Sequence, residues 1–407
     1  MYVTKYSKKI IMEDIILMDA FTQPIKIHQR LSFLPVLRKV PLWLKIFLAH
    51  EAIVILGLLA PYPTAPTKYI DATQAFYIKA HFLFQWDSLW FIEIAKHGYV
   101  HLPTVPYLRG TAFFPWLPIL IHIIGSWGAL VLTQAAFAIS LWVASRVFRR
   151  FLSELHQVTT ALWLLALNPA TVYYASLYAE PWTLLFTLIS VELGFRHKWV
   201  WAAVLAFLAA TTQATGVLVG IFPLVIFVFA ISSRSWKDAR GPFLWGIGGF
   251  LGLVSYMVYL GLRFHQPFLF STIEHRSWGG YWEWPWLQWY KAIGYSLYHG
   301  MIVPLRAALL AAITVLIAGT AMLWRRLRDL TQEAWAIVFY GTAGLLVSLS
   351  FSQGWPLHST IRIASIYFPL YAGVARFPRW LTFLSTIGFA VMAFGGTMLF
   401  AHGWWYQ

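Results

Sequence analysis

From Leu42 to the C-terminus the chain alternates long apolar runs with short polar joints, a spacing set by the width of a bilayer. About eleven of these runs predict membrane-spanning helices, over 43–61, 128–147, 159–175, 181–195, 199–213, 216–232, 242–262, 300–322, 335–351, 361–375 and 380–401. None shows the short alternation of barrel strands, so the predicted fold is all-α and polytopic. A further apolar stretch, "FFPWLPILIHIIG" at 113–125, decides the topology. If it does not cross, one side receives the N-terminal basic segment through Lys45 and the clusters Arg146/Arg149/Arg150, Arg196/Lys198, Arg234/Lys237/Arg240, Arg325/Arg326/Arg328 and Arg376/Arg379. These hold most of the 30 Lys and Arg, as the positive-inside bias requires. If it crosses, the N-terminal cluster falls opposite all the others. Residues 113–125 are therefore read as a re-entrant or interfacial segment broken by Pro115 and Pro118, tolerated where backbone is buried in protein or lines a cavity.

This parity leaves two long outer loops, 62–127 and 263–299, both expected to carry interfacial helices. Shorter outer turns fall near 173–181 and 213–216, with "SQGWPLHSTIR" at 352–362. Residues 1–42 form a basic segment in which "IIMEDIILMDAF" suits an amphipathic surface helix and a solvated tail equally. It has no apolar core followed by a cleavage site. Residues 43–407 are then a single transmembrane domain.

Composition agrees. The chain has 407 residues, is 59% hydrophobic and 11% charged, and its mean hydropathy is +0.65. Such a chain is an integral membrane protein. The absence of Cys rules out disulfides and thiolate metal sites. A net charge of +15 would suit nucleic acid, but the basic residues fall between apolar runs and record orientation, so no nucleic-acid partner is expected.

The polar groups at the outer ends of the spans carry the chemistry. In "FQWDSLWFIEIAKHGY" (84–99), Asp87 stands where an N-cap would, ahead of a helix beginning near Ser88. Position 90 is Trp, so no capping box completes it. Trp86, Trp90 and Phe91 suit the headgroup level, and a partly desolvated carboxylate there suits a general base. Glu93 can pair with Lys96 or His97 at helical spacing. Glu180 in "YYASLYAEP" reads as a first-turn Glu ahead of Pro181, or as an acceptor for sugar hydroxyls beside Tyr178. Asn168-Pro169 reads as a bend. Loop 263–299 sets Glu274, His275 and Arg276 among seven Trp and Tyr between Trp278 and Tyr290, an aromatic belt or a platform for sugars and prenyl chains. Arg362, with His358, either snorkels or grips a phosphate. His265, Glu274 and His275 match no standard metal spacing, so no metal is expected.

The segments "WDSLWFIEIAKHGY" (86–99), "AFFPWLPIL" (112–120), "NPATVYYASLYAEP" (168–181), "HRSWG" (275–279) and "RIASIYFPL" (362–370) together resemble the PIG-V family of GPI mannosyltransferase 2 and its prokaryotic relatives, in the same order. The resemblance implies a GT-C glycosyltransferase: an inverting, multi-spanning enzyme that takes a sugar from a polyprenyl-phosphate donor, mannose above all, on the extracytoplasmic side. It implies Asp87 as the catalytic base with Trp86 beside it. Glu180, Tyr178, His275, Arg276, Trp278, His358 and Arg362 would line the donor and acceptor pockets, the acceptor being a glycolipid or another hydroxyl compound. The lipid-phosphate sugar is a co-substrate, and no cofactor is implied. Three positions depart from the family: Ala179 where it usually has Ser, Gln213 where it often has the Arg of an Arg-x-x-Gly motif, and His275 where relatives have Gln. The competing class is a transporter or flippase of a lipid-linked glycan. Its expected midplane ionisable groups and internal repeats are not evident in the sequence.

Overall fold

The computed structural model describes residues 40–64, 83–100, 108–298, 303–325 and 331–404. The basic segment 1–42 therefore lies almost wholly outside the described residues. The elements begin with helices α1 (Leu42–Leu59), α2 (Asp87–His97), α3 (Trp116–Phe148), α4 (Leu155–Ala166), α5 (Thr171–Ala175), α6 (Glu180–Gly194) and α7 (Trp199–Thr212). After the 3-10 turn Ala214–Gly220 come α8 (Ile221–Ser232), α9 (Trp236–Phe264), α10 (Leu269–Trp278), strand β1 (Gly280–Trp282), α11 (Pro285–Tyr298), α12 (Val303–Trp324) and α13 (Gln332–Ser350). Strand β2 (Phe351–Gln353), two short helices α14 (Thr360–Ser365) and α15 (Pro369–Val374), and α16 (Arg379–Ala401) complete the chain.

Among the described residues seven helices are long and apolar enough to cross a membrane: Leu42–Leu59, Trp116–Phe148, Ala214–Ser232, Trp236–Phe264, Arg306–Trp324, Gln332–Ser350 and Arg379–Ala401. The chain is an integral membrane protein. Four of the predicted spans are shorter or broken, so the expected eleven is not reached by length. Helix α6 is buried along nearly its whole surface. Its 15 residues reach only about 22 Å at the α-helical rise, short of the bilayer's hydrocarbon width. It is a core helix sheathed by protein.

Two predicted spans break in mid-course. The run 159–175 stops at Asn168, whose side chain donates to Leu165 O (2.7 Å) and accepts from the Ala170 N–H (2.7 Å), taking up backbone groups that Pro169 leaves over. The run 361–375 splits before Pro369 into α14 and α15, with Tyr174 donating to Ser365 Oγ (3.1 Å) and Tyr371 to Ser365 O (3.3 Å). Such interruptions survive at membrane depth because other helices bury them and satisfy their polar groups. The stretch 113–125 enters α3, which departs from helical geometry at Gly125 (φ 74°, ψ 165°). The break thus lies at Gly125. Pro118 sits in the first turn, where its missing N–H costs nothing.

One large core runs through the bundle, and a smaller one of Phe114, Tyr256, Leu260, Leu269 and Ile273 anchors α10 to the end of α9.

 

Leu269 opens α10 and Ile273 lies one turn further on, so both reach this smaller core from one face of the helix. Tyr256 seals it by donating to Thr111 O (2.8 Å). Strands β1 and β2 pair antiparallel, Gly280 with Gln353 and Trp282 with Phe351, and tie the second outer loop to the end of α13. Helices α7 and α9 touch backbone to backbone. A Cβ on Gly248 would lie 2.1 Å from Ala203 O, and one on Gly252 2.4 Å from Phe207 O, a small-xxx-small contact. Gly246 has ordinary room, its nearest neighbour being Pro223 at 3.7 Å. Gly248→Ala is expected to lower the melting temperature in detergent by several degrees, whereas Gly246→Ala keeps or raises it, because Ala is the better helix former. Equal melting temperatures for the two variants would refute the close approach.

Candidate functional site

The site begins where α2 begins. Trp86 precedes the helix with φ 56° and ψ −115°, a conformation that costs a residue with a Cβ about 1–3 kcal/mol. Its neighbours hold it there. The Tyr178 hydroxyl donates to Gln85 O (3.2 Å) and accepts from the Asp87 N–H (3.2 Å), while Gln85 Nε2 donates to Ala401 O (3.1 Å). Asp87 is the first residue of α2 and makes no side-chain cap. Its Oδ2 instead meets Arg362 Nη1 at 2.6 Å.

Arg362 bridges two carboxylates. Its Nε donates to Glu180 Oε1 at 2.5 Å, and its guanidinium carbon lies 5.2 Å and 4.9 Å from the ring centres of Tyr173 and Tyr178. Glu180 is the first residue of α6, followed by Pro181. It is buried, and its Oε2 has no hydrogen-bond partner among the described residues. With both carboxylates ionised the three side chains sum to one negative charge. The approach to Arg362 is also strained, since Leu357 (φ 59°) and Ser359 (φ 63°) flank His358 in the left-handed region.

Asp87, Glu180, His358 and Arg362 line a cavity of about 1130 Å³. Trp86 and, from α2, Asp87, Trp90 and Phe91 belong to its wall, and Trp90 stands edge-on to Trp278 (5.6 Å between ring centres). Trp90 thus faces the second long loop. Glu93 pairs with His97 at 3.7 Å, away from the cavity. From α10 come Phe270, Ser271, Glu274, His275 and Trp278, one helical face. His275 Nδ1 lies 2.7 Å from Gly280 O. His358 lines the cavity with its ring 4.2 Å from that of Trp355.

Two expected lining residues lie off the cavity wall. Arg276 is exposed and falls off the cavity face of α10, about 100° round the helix from His275. Tyr178 is fully buried behind the wall, where its hydroxyl is spent on the backbone around Asp87. It positions and does not line. Arg362 differs in kind from the expected phosphate grip, because its guanidinium is already engaged by Asp87 and Glu180.

Among the lining residues outside the expected site are the polar side chains of Glu274, Gln353 and Arg306. Glu274 was visible only as one acid among aromatics, Gln353 as one polar residue of a turn, and Arg306 as a cation inside an apolar run, which is a functional signal in its own right. Gln353 Nε2 donates to Glu274 Oε1. Burial pushes the Glu274 carboxyl up to about 7; the Gln353 hydrogen bond opposes the rise, the Asp87 charge adds to it, and Arg362 opposes it.

A family model described as Mannosyltransferase (PIG-V) matches residues 32–298. That range holds Asp87, Glu180 and Glu274, while Arg306, Gln353, His358 and Arg362 lie beyond it. No curated protein matches the chain. Among solved structures, the crystal structure of ArnT from Cupriavidus metallidurans bound to undecaprenyl phosphate matches 86% of this chain and 63% of its own, at 15% identity and a TM-score of 0.44. The chain therefore spans less than two thirds of that protein's length.

Replacing Arg362 by Met should cost about 3–5 kcal/mol, since the buried Glu180 and the partly buried Asp87 lose their cation, and should lower the melting temperature in detergent well beyond what Arg276→Met does. Infrared difference spectra should show a carboxylic-acid band that disappears as pH rises through about 7, because Glu274 carries its proton below that value and loses it above. The band should be missing from Glu274→Gln, and an unchanged spectrum would place the titration elsewhere.

Proposed function

The chain belongs to the PIG-V mannosyltransferase family, and from the site it encloses we propose that it is an inverting mannosyltransferase of the GT-C kind, moving mannose from a polyprenyl-phosphate donor to a hydroxyl of a lipid-linked or other acceptor. The observation that carries this reading is the Asp87–Arg362–Glu180 assembly in the wall of a large cavity at the ends of the apolar helices. The basic clusters between the spans support an extracytoplasmic site.

In this mechanism the acceptor hydroxyl approaches Asp87, whose carboxylate takes the proton as the oxygen attacks the anomeric carbon. The new C–O bond forms while the bond from that carbon to the phosphate oxygen breaks, and the electron pair leaves with the lipid phosphate. One displacement inverts the anomeric centre, by the stereochemical logic of inverting glycosidases. Arg362 holds Asp87 in place and keeps it beside Glu180 without mutual repulsion. Because this end of the cavity carries net negative charge, the phosphate belongs away from it, toward Arg306, His275 and His358, which also line the cavity. A volume of about 1130 Å³ accommodates a hexose, the phosphate and the first units of an apolar chain against the aromatic wall.

The test is transfer from polyprenyl-phosphate mannose in membranes holding wild type or Asp87→Asn, against a panel of glycolipid and peptide acceptors. Wild type should transfer, and Asp87→Asn should be slower by roughly 10²- to 10⁴-fold at normal protein levels. Near-wild-type turnover by the variant would remove Asp87 from the role of base. A stable wild type that transfers to none of the acceptors would count against the donor class.

A further inference from the structure

The mechanism above uses Asp87, Glu180 and Arg362 and leaves one half-buried polar pair of the cavity without a task. Glu274 forms no ion pair among the described residues; its partner is the amide of Gln353. The surrounding turn is built around this carboxylate. Gly279 ends α10 in the left-handed region (φ 66°), and its N–H donates to the Glu274 carbonyl. Gly280 then passes so close that a Cβ there would lie 3.0 Å from Glu274 Cγ and 3.0 Å from the Phe351 ring. The β1–β2 ladder sets Gly280 opposite Gln353 and so brings the amide to the carboxylate.

Resting on the proposed transfer, we infer that Glu274 and Gln353 form a clamp that binds neighbouring hydroxyls of the transferred sugar and selects the hexose. With one amide N–H spent on Glu274 Oε1, the pair still presents a carboxylate oxygen, an amide oxygen and a second amide N–H. A carboxylate beside an amide matches two adjacent hydroxyls, each of which donates and accepts. Once Glu274 has lost its proton its carboxylate repels a phosphate, and in either state an apolar chain would leave the polar pair unsatisfied. Trp278, Trp282 and Phe351 line the same cavity, and aromatic side chains suit the C–H side of a pyranose. The anomeric carbon must lie beside the hydroxyl that Asp87 deprotonates, and Glu274 is close enough to feel the charges of both Asp87 and Arg362. The ring that reaches Glu274 is therefore the donor's.

The experiment compares wild type, Glu274→Gln and Gly280→Ala with polyprenyl-phosphate mannose and its 2-, 3-, 4- and 6-deoxy analogues. For wild type, one deoxy analogue should be poorer than the parent by roughly 10- to 100-fold in kcat/KM, the worth of a hydrogen bond to a charged group. Glu274→Gln should slow the parent by a similar factor and that analogue little further. Gly280→Ala, which displaces Glu274 without removing it, should show the same pattern in weaker form. If Glu274→Gln slows every donor equally, or none, the clamp is refuted while the transfer reading stands. If folded wild type uses no polyprenyl-phosphate hexose, the transfer reading falls and the clamp falls with it.

Discussion

One guanidinium organises this protein. Two carboxylates in the wall of a largely apolar bundle repel each other and lose much of their hydration, and Arg362 resolves both problems by giving Nη1 to Asp87 and Nε to Glu180. Its geometry matters as much as its charge. A lysine ammonium is a point charge without a planar fork, whereas a guanidinium offers separate donors in fixed directions. The faces of Tyr173 and Tyr178 lie beside the guanidinium, so the cation stays partly compensated even away from its carboxylates.

Bringing those three side chains together imposes the irregularities of the fold. Arg362 sits on α14 because the predicted last-but-one span breaks before Pro369, and Glu180 opens α6 because the chain has just turned after α5. Trp86 is strained so that Asp87 enters α2 on the cavity side, and Tyr178 holds that strained junction through two backbone contacts. Irregular backbone clusters where the chemistry is, and the regular helices around it supply the packing that holds it.

Much of this was legible in the sequence. The types and places of Asp87, Glu180 and Arg362 singled out three residues that the fold brings together. Asn168-Pro169 read as a bend and is one. The pairings were not legible, because Arg362 and Glu180 lie 182 residues apart and nothing local links them. Hydropathy also counts any apolar run of suitable length as a span, and so cannot distinguish α6, sheathed by protein, from a helix that faces lipid. Arg276 and Tyr178 misled for a related reason. Their neighbours in sequence reach the cavity, but side-chain direction depends on helical phase in one case and on a turn in the other. Glu274 gained meaning only when the β1–β2 ladder placed Gln353 beside it.

The separation of Arg362 from its carboxylates also bears on biogenesis. Asp87 and Glu180 leave the ribosome long before Arg362 is made, so a nascent chain that has already inserted α6 carries both acids without their cation. Until α14 arrives, those acids must stay in contact with water or take up protons. The site therefore closes late in synthesis: a product that ends before α14 holds both acids without the cation that pairs them.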